Sequence, residues 1–399
     1  MQHGKERENM GGLSRARTVP WEKGSTDVPG LFRRDCIKVL KYGPDYDYIR
    51  GHPGGPRIVD IRYLKEDVMA DSKEVPLPRR GGENRVIGPS GRPLLVIVEG
   101  GDIEAMVKAG IEAIGGLGPI FGDAREALLK PNTNQRDPFP SVTAPETIRA
   151  VAVHCREAGI EKIIVHEDHK FEPDPYYRQD ELPGMEIEIS TAGDAEQFVL
   201  VEYEKWHGEM DPEVALKDTE VRGPEGFLRN GFVRTEGHCL RVARRLQETP
   251  VIINMPVLKR HFAGQITSAL KNHFGSVYGP QRWLAHAALH RDRDYYDRKL
   301  AEFASAVRPE LTITDARSIQ AVSGPFREAD TRIVEGVDRL IITGDMIAAD
   351  VVALDLMKRF DKTFTPAHEA IVRRQHEHAE ELGLGTADLS AFERIELRV

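Results

Sequence analysis

The chain has 399 residues, 64 acidic against 55 basic side chains, a formal charge of −9 and 40% hydrophobic content. Such a composition suits a folded protein with a sizeable core, and the negative balance argues against a general binder of nucleic acid or anionic membrane, neither of which it attracts. No apolar run approaches the ~18–20 residues of a spanning helix, and Cys36, Cys155 and Cys239 stand far apart without a CxxC pair, so no disulfide framework is expected and a reducing cytoplasm fits.

Residues 1–90 are rich in glycine, proline and charge, as in GHPGGPR and PLPRRGGENR, and read as an irregular N-terminal extension. Arg33-Arg34 is followed by DCIKVLK, with charges where an export signal needs apolar residues, and reads as surface charge. Residues 94–98, LLVIV, form the first convincing strand. Gly100-Gly101-Asp102 then turns into a helix with Ile103, Met106, Val107, Ile111 and Ile114 at helical spacing. A second strand at 127–129 ends in Lys130-Pro131-Asn132-Thr133-Asn134, where the proline stops the ladder and Lys and Asn side chains can face a ligand. Thr143 is expected to cap the next helix, with Glu146 as its capping-box partner. That helix ends at Gly159, and 162–165, KIIV, is the third strand.

The alternation of strand and helix predicts a three-layer α/β fold, a mainly parallel sheet with helices on both faces. The third strand runs into His166-Glu167-Asp168-His169. Two imidazoles and two carboxylates at a strand's carboxyl end suit a divalent metal or proton transfer, and the acidic, proline-rich run that follows suits a solvated loop. Residues 170–248 read as an inserted cap with strands at 185–189 and 198–201 and a basic helix at 240–246.

The densest chemistry lies at 249–282. Val251-Ile252-Ile253 is a buried strand broken by Pro256, and Lys259, Arg260, His261, Thr267, Ser268, Lys271, Asn272, His273 and Arg282 follow within a few turns. A strand feeding into basic and hydrogen-bonding residues is the pattern of a site at the edge of an α/β sheet. If 283–294 is helical, His286 and His290 share one face, as metal ligands on a helix do, with His286 the better placed and no glutamate between them. Strands at 311–315 and 339–343 follow, then Gly344-Asp345 caps a helix carrying Asp350. Thr365-Pro366 opens a C-terminal helix and tail over 361–399, where His368, His376 and His378 do not converge.

The elements LLKPN, TAPETIRAVAVHCREAGIEKIIVHE, PVLKRH, TSALKNHFG, RPELTITDA and GDMIAAD, in that order over roughly 90–360, resemble the family called domain of unknown function 362. Many members carry a ferredoxin-like module with iron–sulfur clusters, which implies redox work and an external electron-transfer partner; this chain has no such module, and an intrinsic cluster is not expected. The order around Thr143 also resembles the N-terminal half of the nickel-pincer lactate racemases, a likeness of fold that fixes no function.

The functional expectation is an enzyme that binds an anionic small molecule or phosphorylated cofactor at the carboxyl ends of the strands. Lys259, His261 and Lys271 are the expected catalytic residues, and Lys130, Asn132, Thr267, Ser268, Asn272 and Arg282 the binding residues. A divalent metal, whether iron, zinc, manganese or nickel, is expected on some of His261, His273, His286, His166 and His169, with redox chemistry implied by the family. Lysines crowded together in an acidic protein are costly unless an anion neutralises them. The alternatives are a non-catalytic anion-binding or homo-oligomeric assembly module and a purely structural role, with PVLKRHF as a turn.

Overall fold

The computed structural model describes residues 75–135, 137–167, 186–190, 197–208, 239–289 and 291–399. The first 74 residues, and with them most of the expected N-terminal extension, lie outside the described residues, as do Asp168, His169 and His290. Fourteen strands are described: β1 (Leu77–Pro78), β2 (Leu94–Glu99), β3 (Glu126–Pro131), β4 (Lys162–His166), β5 (Glu186–Ser190), β6 (Phe198–Glu202), β7 (Cys239–Ala243), β8 (Val251–Met255), β9 (Val257–His261), β10 (Gln265–Thr267), β11 (Leu311–Ala321), β12 (Arg332–Val334), β13 (Arg339–Thr343) and β14 (Glu393–Arg398).

The main sheet runs in the order β14-β2-β13-β11-β8-β3-β4-β5. Its neighbours are parallel except at β13, which is antiparallel to both β2 and β11. The sheet is therefore mixed with a parallel majority, and it does not close into a barrel.

Strand alternation builds the three layers, because successive side chains point to opposite faces. On one face Val96 and Val98, Ala127 and Leu129, Ile163 and Val165, Val251 and Ile253, and Leu340 and Ile342 pack with the helices Ile103–Ala113 and Pro145–Glu157. On the other, Leu95 and Ile97, Leu128, Ile164, Ile252 and Ile341 pack with the helices Arg293–Val307 and Met346–Phe360. Strands covered on both sides read as unbroken apolar runs, which is how LLVIV and KIIVH appear in the sequence.

Several expectations are corrected. Thr143 does not cap the helix Pro145–Glu157: Ala144 holds that position. The Thr143 hydroxyl instead accepts from Asn132 N at 2.8 Å and donates to the Met255 carbonyl at 2.7 Å, stitching β3 to β8. Residues 240–246 are not one helix, since Cys239–Ala243 pairs antiparallel with β6 before the short helix Arg244–Glu248. The strand expected within the cap, β5, is the edge of the main sheet beside β4. β1, β6 and β7 form a separate small sheet. The helix expected over 283–294 is Gly279–Ala288, and a second helix opens at Arg293 with Asp292 as its N-cap. The C-terminal tail is a strand, β14, laid parallel to β2.

Candidate functional site

Parity assembles the first half of the site. Leu128, Ile164 and Ile252 share one face of the sheet, so Lys130, His166 and Asn254, two residues on, emerge on that face at the carboxyl rim of β3, β4 and β8. Lys130 is directly opposite Asn254. The rim is the place where open α/β sheets bind ligands.

Pro256 carries the chain from β8 into β9. Proline has no N–H to give a ladder, but its carbonyl accepts from Asp315 N at 3.0 Å, so the chain stays paired to β11 while it bends. Within PVLKRHF, Val257–His261 is therefore strand, and the turn begins only at Phe262. Within β9, Lys259 and His261 share one face, whereas Leu258 and Arg260 point the other way. Arg260 is turned from the rim, its Nε 3.4 Å from Asp361 Oδ2 and its guanidinium over the Phe364 ring. The antiparallel hairpin sets Thr267 across from Lys259 and Gln265 across from His261.

Asp350 holds the turn that follows. It is buried in the helix Met346–Phe360 and accepts from Ala269 N at 2.6 Å and Leu270 N at 3.3 Å. Burial pushes its carboxyl up to about 6, opposed by the Ser268 hydroxyl and these two amides. Lys271, Asn272 and His273 then lie on the 3-10 helix Lys271–Ser276. Asn272 is the knot between segments: its Nδ2 donates to Lys130 O at 3.0 Å and Asn254 Oδ1 at 2.8 Å, and its Oδ1 accepts from Asn132 Nδ2 at 2.9 Å.

Three lysines meet here. Lys130 and Lys259 are fully buried and Lys271 is 9% exposed. Lys130 Nζ lies 3.0 Å from Glu167 Oε1 and 3.0 Å from the Pro131 carbonyl. Lys259 Nζ donates to Asn134 Oδ1 at 2.9 Å and to the Ser141 carbonyl at 2.6 Å. Burial draws the Lys259 ammonium down to about 7, with Glu167 and Asp137 opposing. Lys271 is held well below the usual lysine range by burial first, then by Arg282, Lys259 and Lys130, against Glu167. Its Nζ sits 3.6 Å from the centroid of the Phe274 ring. A ring face favours the cation by about 0.5–2 kcal/mol, on the order of one pKa unit, whereas full burial can depress a lysine by roughly 3–5 units. Burial wins.

The expected binding residues Lys130, Asn132, Thr267, Asn272 and Arg282 thus gather with Lys259 and Lys271, while Ser268 faces Asp350. Buried atoms without a hydrogen-bond partner among the described residues include Asn132 Oδ1, Thr267 Oγ1, His166 Nε2 and His273 Nε2. Each such atom costs about 1–3 kcal/mol, which a ligand able to pair with it would recover.

The candidate histidines have neighbours of their own. His261 Nδ1 accepts from Ala263 N at 3.0 Å and Gly264 N at 3.2 Å, which puts the proton of the neutral ring on Nε2 and closes that nitrogen to a metal. His286 is half-buried, its Nδ1 donating to the Arg282 carbonyl at 2.8 Å, in an aromatic cluster with His261, Phe262, Phe274 and Tyr296. His273 and His166 face Ser276 and Ser190 through Nδ1. Burial, then Lys130, holds both near 3, so both rings are neutral. Among the described residues no three histidine, cysteine, aspartate or glutamate side chains converge as a metal ion requires.

Two residues carry more of the site than their sequence context signals. Glu167, lost among the charges of HEDH, is buried between Lys130 and the Thr133 amide, which donates to its Oε2 at 3.2 Å. A Cβ on Gly275 would sit on that carboxylate, so the glycine makes room for it. Asn134, in KPNTN, supplies the acceptor for Lys259.

A family model named domain of unknown function 362 matches residues 127–355, more than half of the chain. The chain belongs to that family. The match spans β3 to the helix after β13 and so contains Lys130, Lys259 and Lys271. A relative in Synechocystis sp., thylakoid-associated protein sll1697, is 28% identical over 265 residues, covering 65% of this chain and 71% of the relative. Among solved structures, a Thermotoga maritima protein from a structural-genomics consortium gives a TM-score of 0.37 at 12% identity over 71% of this chain. The lactate racemase apoprotein of Thermoanaerobacterium thermosaccharolyticum gives 0.33 at 12% identity over 66%. The chain spans 59% of each of these two structures. No helix among the described residues is long and apolar enough to cross a membrane.

Proposed function

We propose that the rim of β3, β4, β8 and β9 is an enzyme active site that binds a small anionic molecule. One observation carries the reading: Lys130, Lys259 and Lys271, brought from two distant segments, are buried together, with the Glu167 carboxylate against Lys130. Burying a charge without a partner costs several kcal/mol, and a fold keeps such an arrangement when a ligand or reaction uses it. Glu167 pairs with Lys130, while Lys259 and Lys271, with the Arg282 guanidinium near Lys271, supply the positive field for an anion. Thr267 Oγ1 and Asn132 Oδ1, buried without partners among the described residues, supply a hydroxyl and an acceptor that would orient the bound molecule. The reading uses only the chain's own side chains.

Thermal denaturation with increasing sulfate tests it. A ligand that binds only the folded state raises stability by about 2.7 kcal/mol at about a hundredfold excess over Kd, roughly 3 °C in Tm for a chain of this size. The rise is expected in the native chain and absent in Lys259→Met/Lys271→Met. A Tm indifferent to sulfate, phosphate and small carboxylates would overturn the reading and favour an assembly module.

A further inference from the structure

The three lysines of the rim are chemically unequal. Lys130 has the Glu167 carboxylate and the Pro131 carbonyl, and Lys259 has Asn134 Oδ1 and the Ser141 carbonyl. Lys271 Nζ has no ion pair or hydrogen bond among the described residues, only the face of the Phe274 ring. An ammonium there would look towards Arg282, Lys259 and Lys130 with no acceptor of its own. Its stem runs against Gly264, where a Cβ would stand 3.2 Å from Lys271 Cδ, so the hairpin turn leaves a slot for it. At 9% exposure, against zero for the other two lysines, it is also the one a small molecule can reach.

We propose that Lys271 is the nucleophile of this site and that the substrate class is a small aldehyde or ketone carrying an anionic group. The proposal rests on the rim being an anion site, with Lys259 and Arg282 holding the anionic group while the carbonyl carbon meets Lys271 Nζ. The Nζ lone pair adds to that carbon and the C=O π pair moves to oxygen, giving a carbinolamine. Expulsion of the oxygen as water leaves a C=N bond to Nζ. Both hydrogens of the water come, in net terms, from the amine, and nothing is oxidised or reduced. A neutral amine packed among cations is the form this addition requires.

The test uses the full chain with glyoxylate, an aldehyde bearing a carboxylate, and cyanoborohydride to fix any imine, followed by digestion and mass mapping. The expected result is a carboxymethyl adduct concentrated at Lys271, slowed several-fold by inorganic phosphate and formed much more slowly with acetaldehyde, which lacks the anion. Lys271→Arg should lose it, and mapping the native chain alone decides the matter if that variant does not fold. Labelling no faster at Lys271 than at the exposed Lys108, Lys205 and Lys362 overturns the nucleophile. If sulfate still raises Tm in that case, the anion site stands without it. If the Lys271 adduct forms equally with acetaldehyde and ignores phosphate, the amine is reactive, but both the anion-site reading and the proposed substrate class fail.

Discussion

At Lys259 a fully buried amine has two neutral acceptors, Asn134 Oδ1 and the Ser141 carbonyl, and is drawn down to about 7 chiefly by burial. Its folded pKa lies below the ordinary lysine value, so the native state binds fewer protons between the two. The cost of burying the ammonium is therefore felt below about pH 7 and is relieved as pH rises towards the usual lysine range. A bound anion reverses this by favouring the ammonium. Sulfate keeps its charge across neutral pH, so its affinity should fall by roughly tenfold per pH unit once pH exceeds that of the free amine. Calorimetry on either side of pH 7 measures it, and the dependence should weaken in Lys259→Met; an affinity flat with pH would contradict the assignment. Glu167 gives a second expectation at this scale. Removing one partner of a buried ion pair costs about 3–5 kcal/mol. Glu167→Gln should lower Tm accordingly, and sulfate should restore part of the loss by taking the place of the carboxylate beside Lys130.

Among elements, the turn 268–270 depends on a residue some eighty positions away. Asp350→Ala would strand the Ala269 and Leu270 amides, at about 1–3 kcal/mol, and loosen the segment that presents Lys271. Stability and sulfate affinity should fall together in that variant. Lys271→Met, which removes a buried amine without a hydrogen-bond partner among the described residues but keeps the volume, should lose affinity while Tm holds or rises. Parallel outcomes for the two variants would mean that Asp350 does not position the loop. This dependence explains what was legible in the sequence. Each βα unit was readable because its strand is buried on both faces, and the lysines were readable because each follows such a strand or its hairpin. Pro256 reads as a break and does separate β8 from β9, yet its carbonyl keeps the chain paired to β11 through the bend. Thr143 reads as a helix cap, yet its hydroxyl is taken by Asn132 and Met255. The strand end at 166–169 was legible as a place for chemistry, but the partners of Glu167 and Asp350 were not, because they are fixed by packing between distant segments.

For the whole molecule, the edge of the sheet is made by the last residues of the chain. Glu393–Arg398 alternates half-buried and exposed side chains, with Ile395 and Leu397 packed on the layer that covers β2. The alternation is visible in ERIELR, but a parallel strand needs a partner almost three hundred residues away, and no local pattern names it. β14 closes the flank of β2, and Arg92 binds the carbonyls of Ser390, Ala391 and Phe392 just before it. The C-terminal strand is thus structural support for the sheet, remote from the lysine rim. Ile395→Ser should cost about 1–2 kcal/mol through lost burial and lower Tm by a few degrees. Glu396→Ser, one residue on and facing solvent, should stay within about 0.5 kcal/mol. Both variants should bind sulfate with native affinity after correction for stability. Equal Tm shifts would mean that β14 is not seated by its apolar face, and a loss of affinity in Ile395→Ser alone would mean that the sheet transmits strain from its far edge to the rim.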